Sequence, residues 1–283
     1  MSHTEQNHES RFTGIDAPAV ADPATGLLLY ELSHPWGHGE PAYPGFEDVH
    51  IHRSVTHARH GVMSQRIRTV MHTGTHVNAP RHLLQRAPGV GALPLDRFFG
   101  EGVVIDCPRG EWGLITAETL AAADPQIRAG DIVLLVTGWH RYYSDSQRYF
   151  AHAPGLSPDA AQWLAGRGVK LVGIDTPAVD HPLATSLAGH RGGPAVNYLA
   201  ARYESRTGRR AKDDFPEWNP AHRALLAAGI PTVENVGGDV AALSGRRATF
   251  HAMPWRWPDG DACPIRLVGL IDATGDYRVE TGR

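Results

Sequence analysis

The sequence is short of cysteine, of net charge and of long apolar runs. Only two cysteines, Cys107 and Cys263, occur among 283 residues, so a disulfide framework is excluded and a cytoplasmic location is expected. The 27 Lys and Arg nearly balance the 30 Asp and Glu, which argues against nucleic acid as the main partner. No run reaches the roughly 18 apolar residues of a transmembrane helix, and residues 1–11 lack the apolar core of a secretory signal. We therefore expect neither a membrane nor a nucleic-acid partner.

Three motifs that mark common enzyme classes are also missing. GxSxG, a phosphate-binding P-loop and GxGxxG after a strand do not occur, so no motif supports a serine hydrolase, a nucleotide hydrolase or a dinucleotide-dependent enzyme. The chain is instead rich in histidine, with 17 residues of this type. With 42% apolar and 20% charged residues, the composition is typical of a globular enzyme.

Apolar segments of strand length alternate with loops that contain glycine and proline. Nine segments are predicted as strands: 27–32, 49–55, 64–71, 102–107, 131–137, 171–175, 230–235, 246–253 and 265–272. Three segments are predicted as helices: 115–124, 157–168 and 221–229. This ratio favours an α/β or α+β domain with a mixed sheet and a second layer of strands.

No linker or repeat divides the chain. We therefore expect a single domain over residues 25–283, preceded by a loosely ordered arm, residues 1–24, in which the hydrophobic pattern is weak. Residues 138–155 and 185–220 are long and polar. We interpret both as loop insertions, where binding residues tend to lie.

The densest group of histidines lies in the segment MHTGTHVNAPRHL. Two threonines, a glycine and a proline oppose a helix there. In a strand, His72, His76 and Asn78 would share a face, but His72 and His76 would be roughly 13 Å apart. If both bind one metal ion, the chain must bend between them, and Gly74 is the residue best able to supply the bend. The following proline would then redirect His82.

A second pair, His222 and Glu234, is predicted to converge by reversal of the chain. The helix that begins at His222 spans roughly 10 Å, and the chain reverses direction at Gly229. The strand to Glu234 spans roughly 10 Å in the opposite direction, so the two side chains can lie close together. Such a pair suits Zn²⁺ or Mn²⁺. An equal alternative from the spacing alone is that His222 merely starts a helix and Glu234 faces water.

Four segments together resemble one protein family. HTGTHVNAPRH (72–82) is similar to the H-x-G-T-H-x-D-x-P-x-H signature of the cyclase family of metal-dependent hydrolases, which includes bacterial kynurenine formamidases, isatin hydrolases and some lactam hydrolases. ELSHPWGHGEPAYPG (31–45), GIDTPAVD (173–180) and HRALLAAGIPTVENV (222–236) resemble its other segments. The resemblance runs from about residue 27 to residue 272 and implies a swivelling β/β/α sandwich that assembles as a homodimer or homotetramer.

The resemblance also implies roles for individual residues. It implies metal ligands at His72 and His76, a catalytic general base or proton shuttle at His82, and ligands or ligand-orienting groups at His222 and Glu234. Asn78 departs from the signature, because the family has an aspartate there. A neutral amide oxygen is a weaker ligand than a carboxylate that bridges two cations. We therefore expect Asn78 to belong to the metal-binding set as a weak ligand, and the chain to hold one divalent ion, Zn²⁺ or Mn²⁺, rather than two.

The function implied is hydrolysis of a non-peptide C–N bond by metal-activated water. Ring opening of a cyclic amide, such as a lactam, an imide or an isatin-like ring, is favoured because the insertions suggest a remodelled pocket. The first alternative is kynurenine formamidase activity on an open-chain formamide. An alternative of another class is a metal- or ligand-binding protein that has lost catalysis.

The sequence offers weaker indications of residues around the substrate. Trp255 and Trp257 could wall an apolar pocket, and His34 could reach the substrate from the early loop, although ordinary core packing also accounts for such residues. Asp175 and Asp180 could orient a histidine ligand. A turn or helix cap explains these two aspartates equally well.

Overall fold

The computed structural model describes residues 19–188, 196 and 198–275, and these contain fourteen strands and seven α-helices. The strands are β1 (Val20–Ala21), β2 (Leu28–Glu31), β3 (His50–Val55), β4 (Ser64–Arg68), β5 (His76–Asn78), β6 (Phe99–Asp106), β7 (Leu114–Ile115), β8 (Ile132–Val136), β9 (Gly155–Leu156), β10 (Leu171–Ile174), β11 (Thr232–Glu234), β12 (Arg246–His251), β13 (Ala262–Pro264) and β14 (Val268–Ile271). The helices are α1 (His57–His60), α2 (Ala117–Ala121), α3 (Ser146–Ala151), α4 (Pro158–Arg167), α5 (Leu199–Thr207), α6 (Ala211–Asp214) and α7 (Pro220–Ala227).

Ten strands form one mixed sheet in the order β1-β2-β14-β12-β6-β8-β10-β11-β5-β13. Neighbours from β6 to β11 run parallel, and the remaining neighbours are antiparallel. The sheet curls strongly, as the accumulated twist of many strands favours. The chain after β2 thereby meets the chain after β11, where the Gly237 amide donates to the Leu32 carbonyl and Ser33 bridges to Val236. The remaining described strands form two separate two-stranded sheets, β3-β4 and β7-β9.

This architecture confirms the predicted strand-rich α/β fold with a mixed sheet and few helices. All nine predicted strands and all three predicted helices occur, with ends shifted by a few residues. The central parallel strands were predictable from the sequence because they are apolar throughout. Every residue of β8 and β10 is buried, as expected for strands covered on both faces. Helix α4 has proline at its first turn and ends at Gly168, whose φ is +74°.

The two predicted loop insertions contain helices, so their interpretation as loops was wrong in part. Helix α3 lies in the first insertion, and α5 and α6 lie in the described part of the second. Their buried aromatic side chains pack on one another in a cluster that includes Trp139, Tyr149, Phe150 and Tyr203. Short helices of this kind bury too few residues to show a clear helical period.

The predicted arm, residues 1–24, lies outside the described residues as far as residue 18. The following residues include β1, which pairs with Leu28 and Leu29 of β2. The division into an arm and a single domain stays a prediction. No helix in the described ranges combines the length and the apolar character needed to cross a membrane.

Candidate metal centre

Strand β5 places His76 and Asn78 on one face of the sheet. Because side chains alternate along a strand, Val77 between them points into the fully buried apolar core. On the neighbouring strand β11, Glu234 stands opposite His76 and Thr232 stands opposite Asn78. The face that carries the two motif residues therefore also carries a carboxylate.

The bend predicted between His72 and His76 is present. Gly74 has a φ of +65°, and a Cβ built there would lie 2.6 Å from Cδ1 of Trp36, so the turn requires glycine. The bend brings the rings of His72 and His76 to a centroid distance of 5.2 Å. A 3₁₀ turn that begins with proline then returns the chain, and the ring of His82 lies 4.3 Å from that of His72.

The chain reversal predicted between His222 and Glu234 also occurs. His222, in the first turn of α7, places Nε2 at 2.9 Å from Oε1 of Glu234. The other carboxylate oxygen of Glu234 lies 3.2 Å from Nε2 of His76. All three side chains are buried. The structure thus joins the two separately predicted groups through one carboxylate, and we refer to His72, His76, His82 and His222 as the histidine cluster.

Asp180 orients His222 and also caps its helix. One carboxylate oxygen lies 2.8 Å from Nδ1 of His222, and the carboxylate accepts from the amides of Ala221 and His222. Both roles considered from the sequence are therefore filled by one side chain. Asp175 instead lies 2.9 Å from Nδ1 of His140, which is outside the histidine cluster.

The buried carboxylates of Glu234 and Asp180 control the protonation of His222. Burial opposes a charge on His222, but Glu234 and Asp180 outweigh it and raise the pKa of His222 to about 10. Burial likewise favours neutral Glu234, but the imidazoles of His222 and His76 hold the pKa of its carboxyl well below the usual value. A divalent cation would meet an ionised carboxylate here and would have to displace a proton from His222.

Asp261 is a site residue that the sequence analysis missed. Nε2 of His72 lies 2.9 Å from Oδ2 of Asp261, and Nδ1 of His82 lies 3.9 Å from the same oxygen. The hydrogen bond with His72, and then the nearby imidazole of His82, hold the pKa of Asp261 well below its usual value. No local signal marks this aspartate, because it is 189 residues from His72 and reaches it only through the pairing of β13 with β5.

A cavity of about 280 Å³ opens over the histidine cluster. Its apolar wall includes Tyr43, Phe46, Phe150 and Trp218. The two stretches interpreted as insertions therefore both reach the cavity, through Phe150 and through residues near Trp218.

The structure does not bring the three predicted substrate-binding residues into this cavity. Trp255 is 64% exposed and lines a separate surface depression. Trp257 is 41% exposed and packs near Gly260. His34 is half-buried and stacks on the ring of Tyr143 at a centroid distance of 3.6 Å, without lining the cavity. Desolvation lowers the pKa of His34 to about 3, so this side chain is a neutral packing group.

The donor set fits a divalent cation. Oδ1 of Asn78 is buried without a hydrogen-bond partner, and Nε2 of His76 makes no hydrogen bond of good geometry although Oε2 of Glu234 lies 3.2 Å away. Buried polar atoms left in this way are costly unless another group binds them. The Nδ2 atom of Asn78 lies 3.3 Å from Nε2 of His222. In addition, the ligand atoms of His72, His82 and Asp261 all lie within 4.8 Å of one another. Imidazole and carboxylate donors of this kind suit Zn²⁺ or Mn²⁺.

Comparisons with known proteins agree with the fold and with the sequence motif. The model of the Cyclase family matches residues 30–181, more than half of the 283 residues. An isatin hydrolase bound to the product analogue thioisatinate has a TM-score of 0.69 at 20% identity, over 87% of this chain and 92% of that chain. Isatin hydrolase A from Ralstonia solanacearum has the same TM-score and coverage at 22% identity. A structure titled as a potential metal-dependent hydrolase with cyclase activity has a TM-score of 0.62 at 21% identity, over 86% of this chain and 98% of that chain.

Proposed function

Because the chain belongs to the Cyclase family, we propose that it is a metal-dependent hydrolase of a non-peptide C–N bond. The observation that supports this most is the convergence of four histidines and Glu234 at one cavity, with Asp261 beside two of those histidines and the amide oxygen of Asn78 buried without a partner. His72, His76, His222 and Glu234 would hold one divalent ion, Zn²⁺ or Mn²⁺. When bound, such an ion lowers the pKa of water toward about 7 and polarises a carbonyl.

His82 is the residue best placed to move a proton. It is less buried than His76 and belongs to the cavity wall. Desolvation lowers its pKa even though Asp261 opposes the shift, so the imidazole is neutral near pH 7 and can accept a proton. After accepting one from water, His82 would return it to the leaving nitrogen, which makes departure of the amine possible.

The favoured substrate class is a small cyclic amide. The aromatic side chains of the cavity wall, such as Phe46 and Trp218, suit a flat apolar ring. Two of the structural relatives carry the name isatin hydrolase, and isatin contains a cyclic amide. An open-chain formamide uses the same chemistry and is the alternative substrate class.

The test combines elemental analysis of metal per chain with hydrolysis of isatin, a small lactam and N-formylkynurenine. We expect about one Zn or Mn per chain, with turnover that is lost on chelation and restored by the ion. His76→Ala should lose both metal and turnover, whereas His57→Ala, at an exposed histidine of α1, should keep both.

Two outcomes would contradict the proposal in different ways. Two ions per chain at full occupancy would contradict a single ion. Ligand binding without turnover across the panel would favour a binding protein that has lost catalysis. The cytoplasmic location and the homodimer or homotetramer stay predictions.

A further inference from the structure

The site has lost one carboxylate relative to the family signature and has another nearby. Asn78 occupies the aspartate position of the signature and contributes no negative charge. Glu234 lies against Nε2 of both His76 and His222, whereas Asp180 is engaged at Nδ1 of His222 and by backbone amides. A divalent ion among neutral imidazoles is better compensated by two carboxylates than by one.

Asp261 lies on the strand connection that borders Asn78. Ala262, at the start of β13, stands directly opposite Asn78 in the antiparallel pair with β5. The amide of Ala79 donates to the carbonyl of Asp261 at 2.9 Å. The backbone therefore holds Asp261 beside the end of β5, where the signature would have its own aspartate.

The contacts of the Asp261 side chain are those of a ligand position. Its Oδ2 atom lies 2.9 Å from Nε2 of His72, and two ligand atoms bound to one ion at about 2.1 Å stand roughly 3.0–3.4 Å apart, depending on the coordination angle. The neighbouring cation Arg81 pairs with Asp259 instead. The side chain of Asp261 is 46% exposed, so an ion could reach it from solvent.

We propose that Asp261 is a ligand of the metal ion and supplies, from the neighbouring strand, the carboxylate that Asn78 lacks. His72 and Asp261 would then hold the ion together. This inference rests on the proposed function only in that both require a metal ion, and it concerns binding of that ion rather than turnover.

The test measures Zn²⁺ affinity by competition with a chelator. Asp261→Asn keeps the size of the side chain and removes its charge, and we expect Zn²⁺ affinity to fall by more than about 100-fold, beyond the loss caused by removing a group that only orients a ligand. Asp259→Asn, two residues away in the same turn, should bind Zn²⁺ as the wild type does. Asn78→Asp in the Asp261→Asn background should recover most of the lost affinity.

The assignment is overturned if Asp261→Asn loses less than about 100-fold, or if Asn78→Asp restores nothing. A crystal structure of the Zn²⁺-loaded wild type provides a second measurement that needs no variant. We expect a carboxylate oxygen of Asp261 at about 2.0–2.2 Å from the ion, and an oxygen beyond about 3 Å contradicts the assignment. Tight Zn²⁺ binding without amide turnover would contradict the proposed function alone. Turnover with undiminished Zn²⁺ binding by Asp261→Asn would contradict this inference alone.

Discussion

His82 differs from the other members of the histidine cluster in its surroundings. His76 and His222 are buried against Glu234, whereas the side chain of His82 is 26% exposed. Its ring centroid lies 5.9 Å from that of His222. This position at the cavity edge suits a group that exchanges protons with substrate and solvent, although the proximity of His82 to His72 and Asp261 also fits a ligand.

Replacing His82 by alanine distinguishes these two roles. For a general base, we expect metal content to stay unchanged while the hydrolysis rate falls by 10²-fold or more. Elemental analysis and kinetics on the same preparation provide the measurement, with His57→Ala as the matched control. Joint loss of metal and rate would instead make His82 a ligand.

At the scale of elements, the site depends on how the chain enters β5. The strand itself carries only His76 and Asn78 into the site. The turn at Gly74 adds His72, and the 3₁₀ turn after β5 adds His82. The turn at Gly74, strand β5 and the 3₁₀ turn after it therefore determine the relative positions of His72, His76 and His82.

Gly74→Ala should damage both stability and metal binding. A φ of +65° costs an alanine roughly 1–2 kcal/mol, and the added Cβ would lie 2.6 Å from Cδ1 of Trp36. We expect the free energy of unfolding to fall by at least about 1 kcal/mol and Zn²⁺ affinity to fall as well, because His72 shifts relative to His76.

Chemical denaturation and chelator competition measure these two effects. Gly37→Ala is the matched control, because a Cβ at Gly37 meets nothing within 4 Å. An alanine at position 74 that leaves both quantities at their wild-type values would show that the turn does not set the position of His72.

For the whole molecule, buried neutral histidines couple folding to pH. His181, outside the histidine cluster, accepts from the amide of Leu183 and stacks on Phe215. Desolvation lowers its pKa from 6.5 to about 3. Between these two values the unfolded chain binds a proton that the folded chain excludes, so stability decreases as the pH falls from 6.5 toward 3.

We expect His181→Gln to weaken this acid sensitivity. Between pH 6.5 and 5, the free energy of unfolding of the wild type should fall more steeply than that of the variant, by up to about 1.4 kcal/mol per pH unit. Denaturant titrations on chelator-treated protein measure the slopes, and His57→Gln should retain the wild-type slope. Equal slopes for His181→Gln and the wild type would mean that His181 is protonated in the folded protein.

The features that the sequence determined by itself are local. Apolar runs such as Ile132–Val136 form strands because each residue contributes to burial wherever the strand lies. The bend at Gly74 and the reversal between His222 and Glu234 follow from backbone geometry over a few residues. For this reason, the two groups of candidate metal ligands could be predicted separately.

Only the tertiary structure decided how distant segments meet. The curl of the sheet and the register of β5 against β11 and β13 joined the two predicted groups and brought Asp261 to His72. The same packing left Trp255 outside the cavity. Strand neighbours depend on the sum of many contacts across the sheet, so no short sequence pattern encodes which distant side chain will face a given histidine.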